Sequence, residues 1–237
     1  MPNVAPGQVP PGTRIYAIGD VHGCLDRLVA LHWHIARDLA AHPIADSVLI
    51  HLGDYVDRGA DSAGVLWLLA GSLAAPVRRR VDLRGNHEMM MLDALAGHPG
   101  AASQWLDNGG EQTLESYNIA DTLAVRPAAW REKVPALHMH FLNTLALSHQ
   151  EGSYLFVHAG IRPGVPLRAQ RQEDLLWIRE PFLSDRGARD VVVVHGHTPK
   201  PEVEVFDNRI GIDTGAVMGG RLTCLVLEGR EMRVLQA

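Results

Sequence analysis

Three short motifs in the first ninety residues constrain this chain more than any other feature of its sequence. They are Gly19-Asp20-Val21-His22-Gly23, Gly53-Asp54-Tyr55-Val56-Asp57-Arg58-Gly59 and Gly85-Asn86-His87-Glu88. Each motif follows an apolar run rich in β-branched residues, a pattern that is typical of a buried strand. Carboxylate, amide and imidazole groups therefore fall in the turns where three successive strands end. Three such turns predict half of a site for two metal ions.

The rest of the sequence alternates predicted strands with predicted helices. In the first hundred residues, the pattern predicts strands over 14–21, 47–53 and 77–83 and helices over 25–39, 63–70 and 87–95. This alternation indicates βαβ units and an α/β core. A further helix is predicted over 134–145. Short strands then follow over 145–148, 154–157, 191–194, 209–212 and 222–227.

Composition limits the classes of protein to which the chain can belong. A net charge of -5 disfavours nucleic-acid binding, which usually requires a basic surplus. Two distant cysteines fit no metal or disulfide framework, and no signal peptide or membrane-length apolar run is present, so we expect a cytoplasmic protein without membrane contact. Residues 1–13, rich in Pro and Gly, are predicted to form a flexible tail, and residues 14–237 a single domain.

Candidate metal ligands occur at the ends of predicted strands in both halves of the chain. Because alternate residues of an extended segment point the same way, Asp20 and His22 face one side. A carboxylate at Asp54 could bridge two ions. The remaining candidates are Asn86 with its neighbour His87, and His158 and His197 after later strands. Nitrogen and oxygen ligands without thiolate suit manganese, iron or zinc.

These motifs, in this order, resemble the PPP family of phosphoprotein phosphatases, in the branch typified by the phage lambda serine/threonine phosphatase. Three further segments share the resemblance, which runs from about residue 14 to residue 228: Trp105–Gly110, Trp177–Glu180 and Ile212–Val217. The resemblance implies an α/β metallophosphoesterase fold. In that fold a β-sandwich is flanked by helices, and the active site lies at the carboxyl-terminal ends of the strands.

The resemblance also implies a role for each candidate residue. Asp20 and His22 would hold one of two divalent ions, Asp54 would bridge, and the second ion would be completed by Asn86, His158 and His197. His87 would be the general acid, with Asp57 as its orienting partner. Arg58 and Arg179 would bind the phosphoryl oxygens. Manganese is the expected metal, with iron and zinc as alternatives.

Three functions remain open at the level of sequence. The favoured one is a serine/threonine protein phosphatase, with dual specificity included, acting through a metal-bridging hydroxide. The second is a symmetrical dinucleoside-tetraphosphate hydrolase or a broad small-molecule phosphatase. Such dinucleotide hydrolases commonly lack the aspartate matched by Asp57 and carry Asp where this chain has Glu88. The third is an inactive, metal-stabilised binding module. Loops over 97–130 and 160–190 are expected to set specificity.

Overall fold

The computed structural model describes residues 3–71, 75–119 and 126–237, and most of its strands lie where the sequence predicts them. In chain order the strands are β1 (Asn3–Val4), β2 (Thr13–Ile18), β3 (Asp46–His51), β4 (Arg79–Asp82), β5 (Ser148–Glu151), β6 (Tyr154–Val157), β7 (Val192–His195), β8 (Glu204–Val205), β9 (Arg209–Gly211), β10 (Thr223–Glu228) and β11 (Glu231–Gln236). They form two sheets, with the orders β1-β11-β10-β2-β3-β4 and β5-β6-β7-β9-β8.

The helices follow from amphipathic spacing and local capping. They are α1 (Leu25–Ala41), α2 (Ser62–Ala70), α3 (Asn86–Leu95), α4 (Ala101–Trp105), α5 (Glu111–Ser116), α6 (Pro127–Lys133), α7 (Ala136–Thr144) and α8 (Gln172–Trp177). Helix α1 buries Leu28, Leu31 and Ile35 on one face, as residues three and four positions apart should. Helix α2 begins where the Asp61 carboxylate accepts a hydrogen bond from the Gly64 amide at 2.7 Å.

Alternation along the strands divides the interior into layers. In β2, Ile15 and Ala17 pack into a cluster shared with residues of the second sheet, whereas Tyr16 and Ile18 pack into a cluster shared with the helices. Successive side chains of a strand point to opposite faces, so one sheet face meets the other sheet and the opposite face is covered by helices. A third cluster on the outer face of the second sheet includes Phe182. The expected α/β sandwich flanked by helices is therefore confirmed.

Parallel pairing brings the ligand-bearing turns to one side of the molecule. Strands β2, β3 and β4 run parallel in the first sheet, and β6, β7 and β9 run parallel in the second. The carboxyl ends of parallel strands lie at the same sheet edge. The loops after β2, β3, β4, β6 and β7 therefore converge, and each carries candidate ligands identified in the sequence.

The N-terminal segment differs from its expectation as a flexible tail. Strand β1 pairs with β11, and the side chains of Ala5 and Val9 are buried. The Gly7 amide donates a hydrogen bond to the Tyr154 hydroxyl at 3.1 Å, which ties the segment to the second sheet. Apolar residues between the prolines and glycines explain why this segment packs against the two sheets. Residues 1–2 of the predicted tail lie outside the described residues.

Smaller differences concern the boundaries of elements. The strand predicted over 145–148 begins at Ser148, because helix α7 continues to Thr144 and Leu145 follows directly as its cap. Strand β11 forms a C-terminal hairpin with β10 and adds a strand beyond those predicted from the sequence. Part of the predicted specificity loop, residues 120–125, lies outside the described residues. Within the described part of the chain, no helix combines the length and apolarity needed to cross a membrane.

Candidate active site

Backbone strain is concentrated in the loops that converge at the sheet ends. Six non-glycine residues of the described chain have positive φ, and five of them are predicted site residues: His22, Asp54, Asp57, Arg58 and His197. Residues with side chains rarely adopt this conformation, and such strain persists where the surrounding structure holds it for function. Small residues leave room for the ligands, since a side chain at Gly85 would overlap the Asp54 carboxylate. Five of the six strained positions thus lie within the candidate site.

The first three predicted ligands are buried together. The His22 Nδ1–H donates to the Val56 carbonyl at 2.9 Å, which leaves Nε2 facing the site, 3.4 Å from an Asp54 oxygen. The Arg58 guanidinium donates to the same Nε2 at 3.0 Å. Because this nitrogen has one lone pair, a metal bound there would displace Arg58 and free it for the cleft. The Asp20 carboxylate accepts the His197 backbone N–H at 3.0 Å.

The second predicted ligand group converges on the Asn86 amide oxygen. This oxygen lies 2.9 Å from His158 Nε2 and 2.9 Å from His197 Nδ1. The His158 Nδ1–H donates to the Leu52 carbonyl at 3.0 Å, so its tautomer presents Nε2 to the site. Such backbone partners are the usual means of orienting metal-binding imidazoles. The donor set fits a divalent ion.

Among the residues that the structure describes, two groups of three side chains have the geometry to hold a metal ion. They are Asp54 with His158 and His197, and Asp54 with His22 and His87. Asp54 belongs to both groups, which is the arrangement expected of a bridging ligand. The second group contains His87 where the sequence suggests Asp20, although His87 already uses its Nδ1 atom in a hydrogen bond with Asp57. The residues brought together therefore fit a dinuclear site.

A fully buried carboxylate holds the His87 imidazole. The Asp57 Oδ2 atom lies 2.7 Å from His87 Nδ1. Asp57 is itself held by the Trp105 indole N–H, which donates to both of its oxygens at 2.9 and 3.0 Å, and by the Thr113 hydroxyl, which donates at 2.7 Å. The four side chains are almost completely inaccessible to solvent. They form a fixed chain of hydrogen bonds that leads to the His87 imidazole.

A second buried carboxylate, that of Glu88, organises the loop after β3. It accepts the backbone N–H groups of Asp54, Tyr55 and Val56 at 2.9, 2.7 and 3.3 Å, and that of Gly85 at 2.8 Å. One side chain thus joins the loop that carries Asp54 to the start of helix α3. Burial and the nearby Asp54 carboxylate raise the pKa of Glu88 to about 7.

Burial and charge perturb the ionisable groups of the site in opposite directions. Burial lowers the pKa of His22 to about 4 and that of His197 to about 3, so both imidazoles are neutral near pH 7, as metal ligation requires. Burial also acts on His87, but the carboxylates of Asp54 and Asp57 raise its pKa above the usual value. For Asp54, the surrounding imidazoles outweigh burial and lower the carboxyl pKa.

An open cleft leads from solvent to these groups. It encloses about 410 Å³ and is lined by Asp54, Arg58, Asn86, His87, Asn108, Trp177, Arg179, His197, Pro199 and Met218. Both arginines are exposed on its walls, where their guanidinium groups can meet an anion. Planar guanidinium groups bind phosphate oxygens in a bidentate manner. The cleft can therefore hold a phosphoryl group between metal ligands and two cations.

Sequence reasoning missed several residues that shape this site. Trp105 and Thr113 contact Asp57 across 48 and 56 positions of the chain, and nothing local indicates those contacts. Asp213 is buried beside Asp20, and burial raises its pKa to about 6. The only indication in the sequence that Trp105 and Asp213 belong to the site is that both lie in segments that resemble the PPP branch. Glu88 was noted only as a difference from dinucleotide hydrolases.

Comparison with known proteins agrees with this geometry. The chain is 34% identical over 214 residues to serine/threonine-protein phosphatase 1 of Salmonella typhimurium, covering 88% of this chain and 89% of the relative. It is 28% identical over 226 residues to the asymmetrical bis(5'-nucleosyl)-tetraphosphatase PrpE of Bacillus subtilis, covering 87% of each. A cold-active protein-tyrosine phosphatase of a psychrophilic Shewanella shares the fold, with a TM-score of 0.65, 19% identity and coverage of 97% and 83%. The family model for calcineurin-like phosphoesterases matches residues 13–220. The chain therefore belongs to the calcineurin-like phosphoesterase family.

Proposed function

We propose that this protein is a serine/threonine protein phosphatase that uses two divalent metal ions, with manganese as the working metal and iron or zinc as alternatives. Asp20, His22 and Asp54 would hold the first ion, and Asp54 with Asn86, His158 and His197 the second. When bound, such ions supply a hydroxide near neutral pH that can attack phosphorus. The neutral imidazoles and the shared Asp54 carboxylate support this assignment.

The observation that carries the proposal is the contact between His87 and Asp57 at 2.7 Å. A serine or threonine alkoxide is a poor leaving group and needs a proton as it departs. An imidazole whose pKa is raised by two carboxylates can hold that proton on Nε2 at neutral pH, while Asp57 keeps Nδ1 protonated. His87 would donate the proton, and Arg58 and Arg179 would bind the phosphoryl oxygens in the cleft.

Dinucleoside-tetraphosphate hydrolysis is the second candidate, because a relative at 28% identity is named a bis(5'-nucleosyl)-tetraphosphatase. The departing group in that reaction is a nucleotide phosphate, which leaves without protonation. A tightly held acid is therefore more useful for a phosphomonoester of an alcohol. This difference favours the protein phosphatase.

The leaving group provides the test. Turnover of a phosphoserine peptide, p-nitrophenyl phosphate and diadenosine tetraphosphate should be measured with manganese for the wild type, for His87→Asn and for the control His42→Asn, whose imidazole is exposed. We expect the peptide to be the best substrate. We also expect His87→Asn to lower kcat on the peptide by about 10²–10⁴-fold, the usual contribution of an acid, and to lower it much less on p-nitrophenyl phosphate.

Two results would contradict the proposal. A strong preference of the wild type for diadenosine tetraphosphate would favour the second candidate. Equal losses on the peptide and on p-nitrophenyl phosphate would remove His87 from the role of acid. Reconstitution with manganese, iron or zinc in parallel identifies the working metal.

A further inference from the structure

The end of strand β9 lies at the same sheet edge as the ligand-bearing loops. Strand β9 runs parallel to β7, and Asp213 follows it two residues after its last residue. The chain here passes directly beside the loop after β2, because a Cβ atom at Gly19 would lie 2.7 Å from the Ile212 carbonyl oxygen. Glycine at this position therefore allows the two segments to touch. Their next residues, Asp20 and Asp213, are brought side by side.

Asp20 and Asp213 form a pair of buried carboxyl groups within hydrogen-bond reach of each other. The two residues are only 4% and 7% exposed. Asp20 accepts the His197 backbone N–H at 3.0 Å, and Asp213 accepts the Gly215 backbone N–H at 3.0 Å. An ionised carboxylate has acceptor oxygens and no donor, so the two groups cannot satisfy each other while both are charged.

The pair lacks the kind of partner that the other buried aspartates of the described chain have. Each of those three aspartates lies within ion-pair distance of an imidazole or a guanidinium group. They are Asp54, Asp57 and Asp174. Asp20 and Asp213 have no such partner among the residues that the structure describes. Burial of an unpaired charge is costly, and two like charges in contact repel each other. A cation beside both carboxylates would remove this cost.

We infer that Asp213 belongs to the site of the first metal ion, as a carboxylate additional to Asp20, His22 and Asp54. This inference rests on the two-metal site of the proposed function. A divalent ion held by Asp20 would be attracted by the neighbouring Asp213 charge and would cancel the repulsion between the two groups. The proposed set of side chains for the first ion has one member fewer than the set for the second. Asp213 therefore strengthens the site with fewer ligands.

The test measures manganese binding to the metal-free protein by isothermal titration calorimetry. Asp213→Asn removes the charge but keeps the shape of the side chain and an oxygen that can accept the Gly215 N–H. Asp20→Asn serves as a reference, because the binding step that it abolishes belongs to the first ion. We expect Asp213→Asn to weaken that same step by about 10- to 100-fold, the usual effect of changing a group that supports metal ligands. The other binding step should change much less.

Thermal stability separates a role in metal binding from a role in the fold. In Asp213→Asn, a neutral amide that can donate to Asp20 replaces one of two carboxyl groups in contact. The Tm of the metal-free variant should therefore equal or exceed that of the wild type, whereas added manganese should raise its Tm less. The matched control is Asp174→Asn, which alters an equally buried aspartate that accepts the Arg162 Nε–H at 2.9 Å. The control should lower the metal-free Tm and leave both manganese affinities unchanged.

The outcomes separate the inference from the site on which it rests. If the wild type binds two manganese ions and Asp213→Asn binds both with unchanged affinity, Asp213 has no part in metal binding. A lower metal-free Tm in Asp213→Asn would assign the side chain to the fold and would also overturn the inference. A wild type that binds fewer than two ions would overturn the two-metal site as well. A weakened first step at an unreduced metal-free Tm, with both affinities of the control unchanged, supports Asp213 as part of the first metal site.

Discussion

Replacing Trp105 by Phe tests whether the hydrogen bonds behind His87 serve catalysis. The indole N–H donates to both oxygens of the buried Asp57 carboxylate, at 2.9 and 3.0 Å, and Phe keeps the apolar ring but removes the donor. A hydrogen bond to a charged group contributes about 1.5–3 kcal/mol. If Asp57 positions His87 as the acid, kcat on a phosphoserine peptide should fall by about 10- to 150-fold, the same free energy expressed as a rate.

The loss should depend on the leaving group. p-Nitrophenolate leaves with little need for a proton, so Trp105→Phe should lower kcat on p-nitrophenyl phosphate far less than on the peptide. A graded series of aryl phosphates should show a steeper dependence of rate on leaving-group pKa in the variant than in the wild type. Steady-state kinetics at saturating manganese measures both effects.

Trp130 provides the matched control. It is as deeply buried as Trp105 and packs against it edge to face at 6.1 Å between ring centroids, but no contact with Asp57 is observed. Trp130→Phe should therefore reduce the free energy of unfolding through lost packing alone, without the leaving-group effect. If both variants lose stability alike and neither changes peptide turnover selectively, the Trp105 indole only packs the core, and its positioning role is wrong.

The second donor to Asp57 offers an independent check of the same reasoning. Thr113→Val removes the hydroxyl that donates at 2.7 Å while keeping the shape of the side chain, and Thr113→Ser keeps the hydroxyl. The Val variant should reproduce the leaving-group effect, and the Ser variant should restore most of the wild-type rate. Failure of Ser to restore the rate would point to packing rather than to the hydrogen bond.

Three further predictions concern phosphate binding, metal and pH. Arg179→Ala should lower kcat/KM by about 10- to 150-fold, since a charged hydrogen bond contributes about 1.5–3 kcal/mol, whereas Arg186→Ala, outside the cleft lining, should not. Removal of metal by a chelator should abolish hydrolysis and lower the Tm, because ligands that bind the folded state stabilise it. Added manganese should restore both the activity and the Tm. An unchanged Tm would argue against a structural metal site. Burial lowers the pKa of His32 from 6.5 to about 3. Between these values the unfolded chain binds more protons, so stability falls as pH falls. In His32→Leu, the free energy of unfolding measured by urea titration should decrease less steeply with falling pH, by up to about 1.4 kcal/mol per pH unit. An unchanged slope would contradict the assignment of this pH dependence to His32.

Much of the fold could be predicted because its signals are local. Strand β6 has the predicted bounds of 154–157, and the bounds of β2, β3 and β10 lie within a few residues of the predicted ones. These strands are predictable because a run of β-branched, apolar residues is typical of a buried strand. The sequence does not predict the two-residue strands β1 and β8, because two residues are too few to show the alternation of side chains that is typical of a strand. The packing of the N-terminal segment depends on partners at Tyr154 and in β11, which lie more than a hundred residues away.

The sequence by itself determined the chemistry of the site. Short motifs at strand ends specify carboxylate, amide and imidazole groups, and parallel strands must bring their carboxyl ends to one edge, so the candidate ligands could be identified without a structure. Only the tertiary structure decided how those groups are held. The Trp105 and Thr113 contacts to Asp57, and the three amides of the loop after β3 that donate to Glu88, join segments distant in the chain. Such contacts are consequences of packing, which one sequence does not reveal.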